Sequence, residues 1–327
     1  MEFKLKTLTP IWTGGVEGKC DRLHETGIIG SLRWWYEALV RGLGGYACDP
    51  TSERKDERCE LNQEKFHKAI KDGKNIQEAL NEQICPVCQL FGCTGWGRKF
   101  IFRIQAPDGK PIPGRLEKDT NFNLIFIEKK KFTPLEKLLL KKTIKLIVEY
   151  GALGAKIALK PSENTNKNLL TYRKKDHLDY GIITYQDGYK IDKTEDIVLE
   201  KPPDKKNQLD WPNLKYFWFI PGDYLNREQI NQLVNRNNKG WYQNPDRFQV
   251  FLGGCIKREK CCPEGIERMS KKIFSFHGED SGNPVKTKRC FGYVRSQEEL
   301  ETIEDELRDI LGKDIHILMW EDIKDVL

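Results

Sequence analysis

Across 327 residues, strand-like and helix-like segments follow one another in the order β-α-β-β-α-β, and then nearly do so again. This order predicts an α+β protein built from two tandem ferredoxin-like (RRM-like) domains. Three observations carry the prediction. Short apolar-polar alternations have the two-residue period of half-buried strands. Longer segments repeat apolar residues at helical spacing behind recognisable start signals. The same order recurs in both halves. The predicted domains are 1–170, with a Cys-containing insertion at about 44–96, and 171–327.

In the first half, Phe3, Leu5 and Leu8 alternate with Lys and Thr, which predicts a strand over 2–9. TPIWTGG breaks it. A helix over 27–43, GIIGSLRWWYEALVRGL, aligns Ile28, Leu32, Trp35, Leu39 and Leu43 in one apolar stripe. Trp34 falls on the opposite side, near Gly30, Glu37 and Arg41. The insertion is polar, with weak helical patterns after Asn62. KFIFRIQ (99–105) and NFNLIFIE (121–128) read as strands. Thr133-Pro134 opens a helix carrying Leu135, Leu138, Leu139, Ile144, Ile147 and Val148, and Gly151 ends it. A glycine-containing turn, GALGAK, then slides into a polar loop.

In the second half, KYFWFIP (215–221) reads as a strand and NREQINQLVNRN (226–237) as a helix. RFQVFLGG (247–254) and KKIFSFHG (271–278) read as strands. A helix over 296–312 begins with the capping pattern Ser296-x-x-Glu299. DIHILMW (314–320) reads as the closing strand.

The chain is 38% hydrophobic and 32% charged, with a formal charge of +6, which permits a polyanionic partner without requiring one. The charge is unevenly placed. Residues 129–175 hold thirteen Lys and Arg against three Glu, and residues 296–327 hold eleven Asp and Glu against three Lys and Arg. Such runs serve either as solvated faces or, for the basic one, as a surface for phosphates. The acidic one then stays clear of that surface or docks on another protein. No apolar run approaches the roughly 20 residues of a membrane span, and the N-terminus lacks the apolar stretch of a signal peptide. Ten Cys in such a chain read as cytoplasmic thiols or metal ligands rather than a disulfide framework.

TGGVEGKC (13–20) resembles a phosphate-binding P-loop only superficially. Thr13 stands where the first Gly belongs, and Cys20 where Ser or Thr would ligate magnesium. Cys85-x2-Cys88 and Cys93, with Cys48 and Cys59 upstream, supply enough thiolates for a structural zinc, or are simply reduced thiols. Cys255, Cys261, Cys262 and Cys290 form a looser second group. His24 lies in a polar loop beside Arg22 and Glu25, and is either a hydrogen-bonding loop residue or an acid–base group for metal-free RNA cleavage. The opening turns of the 27–43 helix point most clearly to a ligand. Gly27, Gly30 and Ser31 sit where helix amides lack intrahelical partners. Glycines there admit a phosphate, the helix dipole favours it, and Arg33 adds a forked donor. Tight packing of the helix on its own sheet accounts for the same glycines. Trp34 either stacks a base or packs under the insertion.

Three motifs occur in order: Thr9-x-x-x-Thr13-Gly14-Gly15, then Ile28-x-Gly30-Ser31-Leu32-Arg33-Trp34-Trp35, then Cys85-x-x-Cys88-x-Leu90-Phe91-Gly92. Together they resemble the repeat-associated mysterious protein (RAMP) superfamily, and within it the first-subunit family of type III-B CRISPR (Cmr) effector complexes. The resemblance covers about the first hundred residues. It implies a cytoplasmic, non-catalytic subunit that binds single-stranded guide and target RNA near the guide 3′ end, alongside other Cmr subunits and without a membrane. No cofactor is expected, a structural zinc at the cysteines aside. RAMP proteins usually carry a basic Gly-rich loop after the second helix, of the kind GLGARxRRGFG. Here Gly151 to Lys156 match its start, while the Arg-rich half is replaced by IALKP. KTKRCFGYVRS (286–296), with Arg289, is a partial counterpart. The residues placed against RNA are Thr13, Gly14, Gly15, Arg22, Gly30, Ser31, Arg33, Trp34, Arg98, Lys99, Gly154, Lys156, Lys160 and Arg289. The alternative within the superfamily is a metal-independent endoribonuclease that processes CRISPR RNA, with His24 as acid–base.

Overall fold

A computed structural model of the chain describes residues 1–15, 20, 23–112, 114–154, 180–186, 197, 199, 205–237, 241–255, 269–278 and 287–327. The first half begins with β1 (Glu2–Thr7), whose alternation buries Phe3, Leu5 and Thr7. Helix α1 (Glu25–Gly42) follows. The insertion holds three short helices, α2 (Gln63–Lys71), α3 (Ile76–Asn81) and α4 (Pro86–Phe91). Strand β2 (Phe100–Gln105) buries Phe100, Phe102 and Ile104, and β3 (Asn121–Glu128) buries Phe122, Leu124 and Phe126. Helix α5 (Pro134–Glu149) starts at a reciprocal capping box between Thr133 and Glu136, with Pro134 in its first turn. Strand β4 (Ile183–Tyr185) completes an antiparallel sheet of order β2-β3-β1-β4. The fourth strand joins the edge of this sheet because Leu5 to Thr7 pair with Tyr185 to Ile183.

The second half contributes β5 (Phe217–Pro221), α6 (Arg227–Leu233), α7 (Arg247–Gly253), β6 (Ile273–His277), β7 (Lys288–Tyr293), α8 (Gln297–Leu311) and the one-turn α9 (Trp320–Ile323). Its antiparallel sheet has three strands in the order β5-β7-β6. The molecule is thus mixed α and β with two small antiparallel sheets.

Three expectations for this half fail, each for a local reason. RFQVFLGG is the helix α7, not a strand. Asp246 Oδ1 accepts from the Gln249 amide at 2.7 Å, the Gln249 side chain accepts from the Asp246 amide, and Gly254 ends the helix at φ +70°. KRCFGY, expected within a glycine-rich loop, is β7, the central strand. Gly292 serves close packing there, since a Cβ would come within 2.5 Å of the Trp218 ring. DIHILMW makes only an isolated bridge, Phe219 to Leu318. Its two backbone bonds, 2.9 and 2.8 Å, put it beside β5, where a fourth strand would lie.

Helix α1 lies between the sheets. Ile28, Leu32 and Leu39 are fully buried, as the apolar stripe requires. Trp34 does not pack under the insertion. Its ring meets Phe217, Phe274 and Tyr293 of the second sheet, with centroids 5.8 to 6.1 Å apart. Trp35 is 5.1 Å from Phe291, and its indole N–H donates to the Ala152 carbonyl at 3.0 Å. A tryptophan off the apolar stripe thus packs, half-buried, against the sheet of the other half. Edge-to-face pairs of this kind contribute about 0.5–1.5 kcal/mol each beyond area burial.

Some charges of the two runs are used internally. Lys137 pairs with Glu128 at 3.1 Å, and Lys145 approaches Glu149 at 3.9 Å. The ammonium of Lys145 also donates to the Val326 carbonyl, so the acidic tail rests on the basic helix α5. Among the described residues no helix is long and apolar enough to cross a membrane.

Candidate nucleic-acid interface and a cysteine cluster

The Thr-Gly-Gly loop, the start of α1 and the turn after α5 converge on one cleft of about 380 Å³. Hydrogen bonds fasten these three pieces. The buried Thr13 Oγ1 accepts from the His24 amide at 2.8 Å, tying the loop to the helix entrance. The Trp12 amide donates to the Gly154 carbonyl at 3.0 Å. The Gly154 amide donates to Ser31 Oγ at 3.4 Å. Gly154 has φ +55°, and a Cβ there would lie 2.7 Å from Ile28 Cδ1 and 3.3 Å from Thr13 Cγ2. The facing wall comes from the second half: Lys271, Phe274 and Tyr293. The cleft is apolar and aromatic, with hydroxyls at Thr13, Ser31 and Ser270. Burial pushes the Lys271 ammonium down to about 8.

Of the residues the sequence places against RNA, Thr13, Gly14, Ser31, Trp34 and Gly154 line this cleft. Gly15 is half-buried at the end of the loop. Gly30 is exposed on α1, with nothing within 4 Å of where a Cβ would stand. His24 precedes α1 without a side-chain capping bond. It lines a separate hollow with Glu25, Ile104 and Ile112. Arg22, Lys156 and Lys160 lie outside the described residues.

Most of the remaining cations have internal partners. Arg33 Nε pairs with Glu37 at 2.8 Å, Nη1 donates to the Gly92 carbonyl at 3.0 Å, and Nη2 donates to Cys88 Sγ at 3.2 Å. It does not line the cleft. Lys99 is buried and pairs with the buried Glu136 at 2.8 Å. Arg289 is buried on β7, where Nη1 donates to the carbonyls of Ile147, Val148 and Gly151 at 2.8 to 3.3 Å. It thereby closes the C-terminus of α5, and its burial pushes the guanidinium down to about 10. Arg98 is exposed, with its guanidinium 5.7 Å from the Phe100 ring centre. Sequence reasoning missed Trp12 and the far wall. Trp12 stands inside the quoted TPIWTGG motif, whereas nothing local marks Phe274 or Tyr293 as facing α1.

A second cluster forms in the insertion. The Sγ atoms of Cys48, Cys59, Cys85 and Cys88 all lie within 4.8 Å of one another, and all four residues are buried. Cys93, grouped with them by spacing alone, is half-buried outside the cluster, with its thiol on the Thr94 carbonyl. In the looser second group, Cys261 and Cys262 lie outside the described residues.

Comparison with known proteins adds a family. The profile of the RAMP superfamily matches residues 4–312. No curated protein sequence matches the chain. Among solved structures, the chain is similar to one in a cryo-EM structure of the type III-B Cmr-beta bound to cognate target RNA and AMPPnP in the presence of ssDNA. The two are 12% identical, with 94% of this chain and 98% of that chain covered and a TM-score of 0.42.

Proposed function

Because the chain belongs to the RAMP superfamily, we propose that it is a non-catalytic RNA-binding subunit of a type III-B CRISPR (Cmr) effector complex. In this reading it works in the cytoplasm, beside other Cmr subunits, and holds single-stranded guide or target RNA near the guide 3′ end. The three ordered motifs support the subunit assignment. The two sheets are read as two ferredoxin-like units. In each, the strand order runs 4-1-3-2 when the Leu318 bridge stands for the fourth strand of the second.

One observation carries the RNA reading. Residues of the first two motifs, Trp12 to Gly14 and Ser31, Trp34 and Trp35, meet the sequence-distant Gly154 and the second half around a single aromatic cleft. Unpaired bases stack on aromatic faces whatever their identity, which suits a subunit that must accept many sequences. The half-buried indole of Trp12 offers such a face. The hydroxyl of Ser31 and the open backbone at Gly30 suit the sugar-phosphate. Arg33, Lys99 and Arg289 drop out of the contact set, because their charges are used inside the protein. Phosphate contacts fall instead to exposed cations such as Arg98 and the lysines at 129 and 131.

The test is fluorescence anisotropy with a single-stranded RNA, its duplex and a salt series. Single-stranded RNA binds better than duplex, and affinity falls with salt. Trp12→Ala weakens binding by about 5- to 150-fold, the loss of one base stack. Unchanged affinity in that variant removes the cleft from the interface. Incubating the protein with CRISPR-repeat RNA in EDTA leaves the RNA intact. Site-specific cleavage that is lost in His24→Ala replaces this reading with the nuclease one.

A further inference from the structure

We propose that Cys48, Cys59, Cys85 and Cys88 bind one zinc ion as four thiolates, with Arg33 as the outer donor to the Cys88 sulfur. The inference is independent of the RNA reading and rests on three features of the insertion.

The first is shape. A tetrahedral zinc with Zn–S bonds of about 2.3 Å has sulfur–sulfur edges of about 3.8 Å. All four Sγ atoms fall within 4.8 Å of one another, and Cys48 Sγ is 3.4 Å from Cys88 Sγ. The four residues are unbridged thiols. Sulfurs this close surround a single ion and leave no room for a cluster with its own sulfides. Four-sulfur tetrahedral sites select zinc, or iron in its mononuclear form.

The second is the set of donors aimed at sulfur. Cys85 caps α4, and its Sγ accepts from the Cys88 amide at 3.5 Å. The Cys85 amide donates to Cys59 Sγ at 3.3 Å. Arg33 Nη2 reaches Cys88 Sγ at 3.2 Å and Cys48 Sγ at 3.9 Å. Backbone amides and a guanidinium pointed at sulfurs stabilise thiolates and orient them, as outer-sphere groups do around metal ligands.

The third is charge. Two largely buried guanidiniums flank the cluster. Arg33 lies on one side, and Arg41, which donates to the Cys48 carbonyl at 3.0 Å, on the other. They share one carboxylate, Glu37, at 2.8 and 3.9 Å. Among the described residues no other carboxylate lies at ion-pair distance from either guanidinium, so positive charge is left under-compensated beside the sulfurs, which is costly in the interior. Zinc with four thiolates carries a net charge of −2. The centre therefore supplies the missing negative charge, and the arginines disperse its excess.

Zinc also has something to hold. Residues 44–96 contain only short helices around the cluster, and their closure is a backbone bridge between Glu60 and Thr94. A metal ion is a common staple for such a segment. Arg33 then carries the staple to α1, since the same guanidinium grips Gly92 and Cys88.

The experiment uses the full chain, dialysed against metal-free buffer. Elemental analysis is expected to give one zinc per chain. An organomercurial titration read with a metallochromic dye releases that zinc as four thiols react. X-ray absorption of the untreated protein reports four sulfur neighbours at about 2.3 Å. Cys88→Ser lowers the zinc content. Should that variant not fold, the absorption spectrum of the wild type decides alone. Arg33→Lys keeps the ion but loses about 10- to 100-fold in affinity against a competing chelator. Folded protein without stoichiometric metal, a nitrogen- or oxygen-rich coordination shell, or iron in place of zinc overturns the proposal. Unchanged affinity in Arg33→Lys overturns the role given to Arg33.

Discussion

Replacing Gly154 with Ala tests how the cleft is assembled, and Gly30→Ala is its counterpart. At Gly154, φ is +55°, so a Cβ costs about 1–2 kcal/mol from backbone conformation alone. The new methyl would also stand 2.7 Å from Ile28 Cδ1, 3.2 Å from Ile11 Cγ2 and 3.3 Å from Thr13 Cγ2. The Ile28 terminus can swing away, but Ile11 and Thr13 are β-branched and stiff. Overpacking of this kind adds about 1–2 kcal/mol. The sum is a loss of about 2–4 kcal/mol. Gly30 sits inside α1 with open space around it, and Gly→Ala in an exposed helix gains about 1 kcal/mol. In urea, with a slope of roughly 3 kcal/mol per M, Gly154→Ala lowers the midpoint by about 1 M, and Gly30→Ala raises it by about 0.3 M. A Gly154→Ala protein as stable as wild type refutes the packing argument. RNA affinity separates the second role. If phosphate approaches the helix at Gly30, the Ala variant gains stability and loses affinity. A gain in stability with unchanged affinity takes Gly30 out of the interface.

Further expectations follow from the buried charges. Lys99→Met strands the buried carboxylate of Glu136 and costs about 3–5 kcal/mol in chemical denaturation, whereas Lys99→Met with Glu136→Gln recovers part of this by restoring neutrality and keeping the α5 cap. A loss below about 1 kcal/mol in the single variant shows that the pair is not holding the helix start. Arg289→Lys cannot reach three carbonyls at once and destabilises the fold by at least about 1 kcal/mol, with RNA affinity of the folded fraction unchanged. A selective loss of RNA binding instead returns Arg289 to the interface. Burial holds Lys271 and Lys272 at about 8, below the 10.5 of a free lysine. Between those values the unfolded chain binds more protons, so stability rises with pH across about 8 to 10.5, by up to about 1.4 kcal/mol per pH unit for each lysine. Denaturation midpoints of Lys272→Met over that range should show a shallower rise. An identical slope excludes Lys272 as a source.

The first sheet is legible in the sequence because β1 alternates cleanly, β2 and β3 are short apolar runs rich in Phe and Ile, and α5 announces itself with Thr133-Pro134. The second half is less so. In RFQVFLGG, Phe248, Val250 and Leu252 have a strand's period, and only the Asp246–Gln249 box distinguishes a helix. In KRCFGY, the charge of Arg289 argues for a loop. It is buried because its carbonyl partners lie about 140 residues earlier in the chain, a distance no local pattern reports. Arg33 is the same case at the site. Read on its own helix, it faces outward, yet its partners Gly92, Cys48 and Cys88 arrive from the insertion. The cleft residues near the motifs were legible because the glycines mark them. The opposite wall belongs to another sheet, and periodicity says nothing about which helix that sheet covers.

Helix α1 belongs to the first half yet packs Trp34 and Trp35 against the sheet of the second. The polypeptide therefore melts as one cooperative body, although its strand pattern repeats. Severing it between Tyr185 and Lys205 would leave the later fragment with Phe217, Phe274 and Phe291 stripped of their cover, and the earlier one with two bare indoles. Each piece would aggregate alone, and the pair would regain solubility only on recombining.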